Sequence, residues 1–152
     1  MANWVQTDRG GLTISTDLAG AQSINVGFIP VQGAWTASGV DTFIFTAGRG
    51  YRVKGIHAVI TVAGTDAGAV TLGVRKVPSG TTLTSGVLLH SGTVNLKGTV
   101  NTYQGTAGTS PALTLTTTDA DLNVAATDSI ALDFTGVLTS AVGAVTIELE
   151  AR

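Results

Sequence analysis

Chemistry at neutral pH has few places to start in this chain. It carries two histidines, His57 and His90, and no cysteine. A metal site needs His, Cys or carboxylate donors converging at short spacing, and the two histidines lie far apart. His57 stands among apolar neighbours in a strand-like run, which reads as a histidine satisfied on a sheet face. His90 closes an apolar strand before Ser91-Gly92, an ordinary place for a polar turn residue. Asp119, Asp121 and Asp128 could gather around a calcium ion. Their spacing matches no EF-hand loop, however, and Asp is a normal turn former. No cofactor or metal is expected.

Nucleophilic catalysis would need a hydroxyl beside a general base, and neither histidine has a Ser in a Gly-x-Ser-x-Gly turn. Glu148 and Glu150 fall on one face of the last strand-like run, about 7 Å apart by strand geometry. A glycosidase could use such a pair. As alternating outward residues they read more simply as a solvated face that deters mispairing. Ala47-Gly48-Arg49-Gly50 is glycine-rich, but it leads into a strand and not into a helix N-terminus, so it cradles no phosphate. The chain reads as a non-enzyme.

Binding residues are the alternative. Arg49, Arg52 and Lys54 form the one local cluster of positive charge; Arg52 and Lys54 share a strand face. They could meet an acidic patch on a partner, or simply mark a solvent-facing strand end. Trp35, Tyr51 and Tyr103 are the rings that could stack on a sugar, and a carbohydrate- or receptor-binding module is the competing function.

The composition narrows the classes further. Of 152 residues only 12% are charged, 43% are hydrophobic and 5% aromatic, with 20 Gly and a net charge of -2. An ordinary soluble domain carries about 25% charged residues. The apolar content is too high for a disordered chain, and a pI near 5.5 with scattered basic residues argues against nucleic-acid binding. No run approaches the ~18 apolar residues of a membrane helix, and the first nine residues lack the basic and apolar regions of a secretory signal. A mean hydropathy of +0.36 nevertheless asks for burial, part in a core and part in a subunit interface.

The elements that must position these residues are strands. Val70, Leu72 and Val74 alternate with Thr71, Gly73 and Arg75; Ile130, Leu132 and Phe134 alternate with Ala131 and Asp133; Val145, Ile147 and Leu149 alternate with Thr146, Glu148 and Glu150. Period two with one apolar face is the pattern of a half-buried strand, and these nine apolar residues are the expected core. Further strands are expected at 41–46, 51–62, 86–90, 93–97, 111–116 and 121–124, separated by turn-forming clusters. So many short strands imply an all-β sandwich or barrel. From Ile56 onward the 51–62 strand is apolar on both faces, with Ile56, Ala58, Ile60 and Val62 against Val59. One face should be core and the other covered, which predicts a homo-oligomer.

The chain also partly repeats. Gly68-Ala69-Val70-Thr71-Leu72 returns as Gly143-Ala144-Val145-Thr146-Ile147, and Ile56 to Ile60 has a counterpart in Ile130 to Phe134 at nearly the same offset. A two-sheet jelly roll, with equivalent hairpins in its halves, fits this. Residues 1–35 differ: short apolar pieces are broken by Gly10-Gly11, Gly20 and Pro30. They read as an extended N-terminal arm and first strand, ahead of a single jelly-roll-like antiparallel β-sandwich at 36–152. Trp4, Leu12, Ile14, Ile24, Val26 and Phe28 have no clear place in the sandwich. With Arg49 and Arg52 they are the expected partner-binding residues, acting by strand addition or by insertion into grooves.

The stretches 51–56 (Tyr51-Arg52-Val53-Lys54-Gly55-Ile56), 63–76 (Ala63-Gly64-Thr65-Asp66 through Lys76) and 91–102 (Ser91-Gly92-Thr93-Val94 through Thr102) resemble small virion proteins of tailed bacteriophages. The likeness is to capsid decoration (cement) and head-fibre-like proteins, and it covers roughly residues 40 to 150. It implies a jelly-roll-like domain, a homotrimer, a major capsid protein as partner, and a place on the outer capsid surface after synthesis in the host cytoplasm. Few long charged side chains also suit a surface that must be covered, since little side-chain entropy is lost on burial.

Overall fold

The computed structural model describes residues 28–101 and 112–152, with the backbones of three further strands at 3–6, 12–15 and 103–104. Strands β3 (Ile29–Trp35), β4 (Thr42–Thr46), β5 (Tyr51–Val62), β6 (Thr71–Val77), β7 (Val87–Leu88), β8 (Val94–Asn95), β9 (Tyr103–Gln104), β10 (Asn123–Val124), β11 (Ser129–Thr135) and β12 (Val142–Ala151) form two antiparallel sheets. One runs β10-β5-β12-β3, with β9 also beside β5. The other runs β4-β11-β6-β7, with β8 also beside β6. The chain thus passes from sheet to sheet between β3, β4, β5 and β6 and again between β10, β11 and β12. That is the jelly-roll order expected from the sequence.

The repeated segments supply the four central strands, and they pair across copies. β5 of the first copy pairs with β12 of the second, and β6 of the first pairs with β11 of the second. Their apolar faces meet between the sheets. Val70, Leu72, Val74, Ile130, Leu132, Val145, Ile147 and Leu149 are all buried there, joined by Val53, Ile56, Ile60, Leu89 and Leu96. Phe134, at the end of its strand, is only half-buried; its ring lies 6.0 Å from that of Trp35.

β5 changes phase along its length. Tyr51 and Val53 point inward, then Ile56, Ala58 and Ile60 do, because the pairing with β12 skips Lys54. A bulge of this kind inserts one extra residue and flips the alternation. A second skip at Thr61 turns Val62 outward, 46% exposed, so Val62 does not continue the buried face of Ile56, Ala58 and Ile60 as the sequence pattern suggested. The outer face of β5 is likewise mixed, since His57 and Thr61 flank Val59.

The short segments differ most from expectation. Strands 86–90 and 93–97 contract to two residues each. The 121–124 strand is a 3-10 turn (Asp119–Leu122) followed by the two-residue β10. Within 112–116 the ladder contact is one isolated bridge, His90 to Leu115. The sandwich begins earlier than residue 36, because β3 is its edge strand beside β12. Pro30 sits there, where a missing N–H costs no ladder bond on the open side.

Ahead of the sandwich, β1 (Asn3–Gln6) and β2 (Leu12–Ser15) pair as a separate antiparallel hairpin with Trp4 opposite Ile14 and Gln6 opposite Leu12.

Candidate functional surface

The register of the hairpin decides how its apolar residues are grouped. Directly opposed residues share a face, and the face alternates along each strand. Positions 4, 14 and 12 therefore fall on one face together with position 6, while positions 3, 5, 13 and 15 fall on the other. Trp4, Ile14 and Leu12 are thereby brought together from two separate pieces of sequence. Ile24 and Val26 lie outside the described residues. Phe28 immediately precedes β3 and is 56% exposed, followed by Ile29, also exposed.

The strand order places this entry point beside the basic residues. Leu149 of β12 pairs with Ile29 on one side and Val53 on the other, and the next residue, Glu150, pairs with Arg52. Phe28 and Arg52 thus flank the end of β12 at a separation of about two strand spacings, roughly 10 Å. Arg49 is at the same end, in the turn before β5, where its Nη2 donates to the carbonyl oxygen of Arg152 at 3.2 Å. That end is tied together by the backbone. Ala47 donates to the Asp128 carbonyl (2.8 Å), Thr127 to the Ala47 carbonyl (2.7 Å) and Arg152 to the Gly50 carbonyl (3.0 Å). Thr127 takes φ 76° in this clamp, a region a β-branched residue rarely enters.

The charges here are matched internally. Arg52 makes a two-pronged contact with Asp119, with Nη1 donating to Oδ2 at 3.1 Å and Nη2 donating to Oδ1. The hydrogen bonds to Arg52 hold the Asp119 carboxyl below its usual range, and the same contact raises the Arg52 guanidinium further. Lys54 lies 3.5 Å from Glu150, and His57 lies 3.5 Å from Glu148. The two glutamates are thus held by basic partners along one sheet face. Gly55 leaves the space that the Glu148 carboxylate occupies, since a Cβ there would lie 2.7 Å from Oε2. Asp128 Oδ2 accepts the Ala125 N–H at 3.0 Å within its own turn. Among the described residues no three His, Asp or Glu side chains come together to hold a metal ion.

Two of the three rings considered for sugar stacking are core residues. Trp35 is 3% exposed and Tyr51 8%. Trp35 packs against Phe134, and Tyr51 meets Phe45 edge-on at 5.5 Å. Neither can present a face to a ligand, because strand alternation turns both inward. The Tyr103 side chain lies outside the described residues.

The opposite end of the sandwich gathers the other loops. Gly64 donates to the Leu96 carbonyl, Thr65 to the Thr139 carbonyl and Asn101 to the Ile60 carbonyl. Val40, 75% exposed, and Val62, Val100 and Val137 belong to these loops and their flanks. Only Val62 was singled out by a sequence pattern, as part of the 51–62 strand; Val40, Val100 and Val137 are isolated residues that carry no periodicity. Comparison with protein-family models, with curated proteins and with solved structures finds no match.

Proposed function

We propose that this chain is a structural virion protein that decorates and stabilises the outer surface of a phage capsid as a homo-oligomer, with a trimer as the expected form. The observation that carries the reading is a convergence at one end of the sandwich. Exposed Phe28 and Ile29 lie at the end that bears Arg49 and Arg52, and earlier in the chain the register of the separate hairpin sets positions 4, 12 and 14 on one face. Such an end offers apolar area beside an Arg52 already paired with Asp119 and a Lys54 already paired with Glu150. Attachment by spread, uncharged contact resists changes in salt, whereas attachment by surface charge weakens as salt screens it. The resemblance of residues 40 to 150 to decoration proteins supports the same reading, as does the jelly-roll order.

Attachment then works by bridging. The sandwich sits on the shell, and the N-terminal segment reaches neighbouring capsid subunits by strand addition or by placing apolar side chains in grooves. Buried apolar area supplies affinity at roughly 25 cal/mol per Å² before ordering costs are deducted. The test is direct: purified protein is mixed with capsids that lack decoration protein and sedimented. Stoichiometric binding that survives ~1 M salt is the expected result. A protein that stays in the supernatant, or binds glycans in place of shells, would contradict the proposal.

A further inference from the structure

His90 occupies a position that no part of this functional reading uses. β7 pairs with β6 over only two residues, Val87 and Leu88. At Leu89 the strand keeps one rung, its N–H donating to the Val74 carbonyl at 2.9 Å, but its own carbonyl turns away to accept the Thr116 N–H at 3.0 Å. Val74 therefore has an N–H that the departing strand no longer meets. The His90 side chain fills the gap, with Nε2 accepting that N–H at 3.0 Å. Just beyond, Ser91 donates to the Thr114 carbonyl and Leu113 donates to the Ile56 carbonyl of the other sheet, both at 2.8 Å. The imidazole thus stands where the chain leaves one sheet to join a segment bound to the other.

We propose that His90 is an acid-released latch: neutral, it fixes residues 87–91 and 112–116 to β6, and on protonation it lets them open. The geometry dictates the chemistry. A ring nitrogen that accepts a backbone N–H carries no proton, so the neutral ring holds its hydrogen on Nδ1. Adding a proton to Nε2 sets two donors against each other. The ring is 2% exposed, so water cannot take over either partner.

Burial pushes His90 below the ordinary histidine range; the Ser91 backbone partly opposes this, and the charge of Arg75 adds to it. Arg75, on β6, is itself held by Asp133 of β11 and the Gly86 carbonyl. Lys76, next on β6, is turned to the Ala120 and Asn123 carbonyls. Neither 87–96 nor 112–116 contains a charged residue besides His90. A histidine depressed on folding takes up its proton more readily in the opened chain. The latch is therefore intact above the unfolded value, about 6.5, and is lost progressively as pH falls below it.

Amide exchange followed by NMR on the full chain tests this. Between about pH 7 and pH 4.5, protection factors at Val74, Leu89, Ser91, Leu113 and Thr116 should fall about tenfold or more, while Ile147 in the central strand keeps its protection. His90→Gln offers an oxygen to the same N–H and cannot be protonated, so its protection at these amides should be flat over that range. Equal pH dependence in both proteins would overturn the proposal. Should the variant not fold, the ring signals of His90 in the native chain decide. A protonation midpoint that coincides with the loss of protection supports the latch, and a ring that titrates while Val74 stays protected overturns it. This outcome is independent of whether the protein binds capsids.

Discussion

A methyl group added at Gly143 would meet the Trp35 ring and the carbonyl oxygen of Val59. The ring is locked between Gly143 and Phe134, and the carbonyl belongs to the β5 ladder, so neither neighbour can withdraw cheaply. Gly143→Ala should cost about 3 kcal/mol through overpacking, measured by denaturant unfolding. Leu132→Ala acts in the opposite sense. The side chain is fully buried in the middle of the core, and the cavity left behind should cost ~2–5 kcal/mol. Trp35 also shows where residue-level reading fails. A tryptophan between Ala34 and Thr36 carries no local mark of burial. What places it inside is the pairing of β3 with β12, which sets Trp35 opposite Gly143. His90 is a second case. Its sequence context is that of a polar turn residue, and its role arises only because the Leu89 carbonyl turns toward Thr116.

At the level of elements, legibility follows length. β6, β11 and β12 run seven residues or more with one apolar face, enough for period two to stand out, and all three were readable. β5 was readable in extent, and its bulge is written in the sequence as the change from Tyr51 and Val53 to Ile56, Ala58 and Ile60. Of the two-residue strands, β7, β8 and β10 were readable in place but not in extent, and β9 was not readable, since two residues cannot show a period. The β1–β2 hairpin pairs only with itself among the described residues. If it serves a partner and not the core, replacing Trp4, Leu12 and Ile14 together by Ser should leave the far-UV circular dichroism and the melting temperature of the sandwich unchanged. A clear drop in melting temperature would make the hairpin part of the fold.

The whole molecule has two unlike ends. One carries Phe28, Ile29 and Arg49, with Arg52 tied to Asp119; the other exposes Val40, Val62, Val100 and Val137. Scattered exposed valines are normal on a monomer. With 12% charged residues, however, little on this surface would hold copies apart. Light scattering at micromolar protein should report three times the chain mass, and a monomer would contradict the oligomeric part of the proposal. The proposal as a whole depends on the shell. The decisive measurement is co-sedimentation of the intact chain and the Trp4/Leu12/Ile14 triple-serine variant, side by side, with capsids that lack decoration protein. The intact chain should saturate the capsids and stay bound in ~1 M salt, while the folded variant should remain in the supernatant. If neither protein sediments with the capsids, the decoration function is wrong, and if both bind equally, attachment does not run through the hairpin.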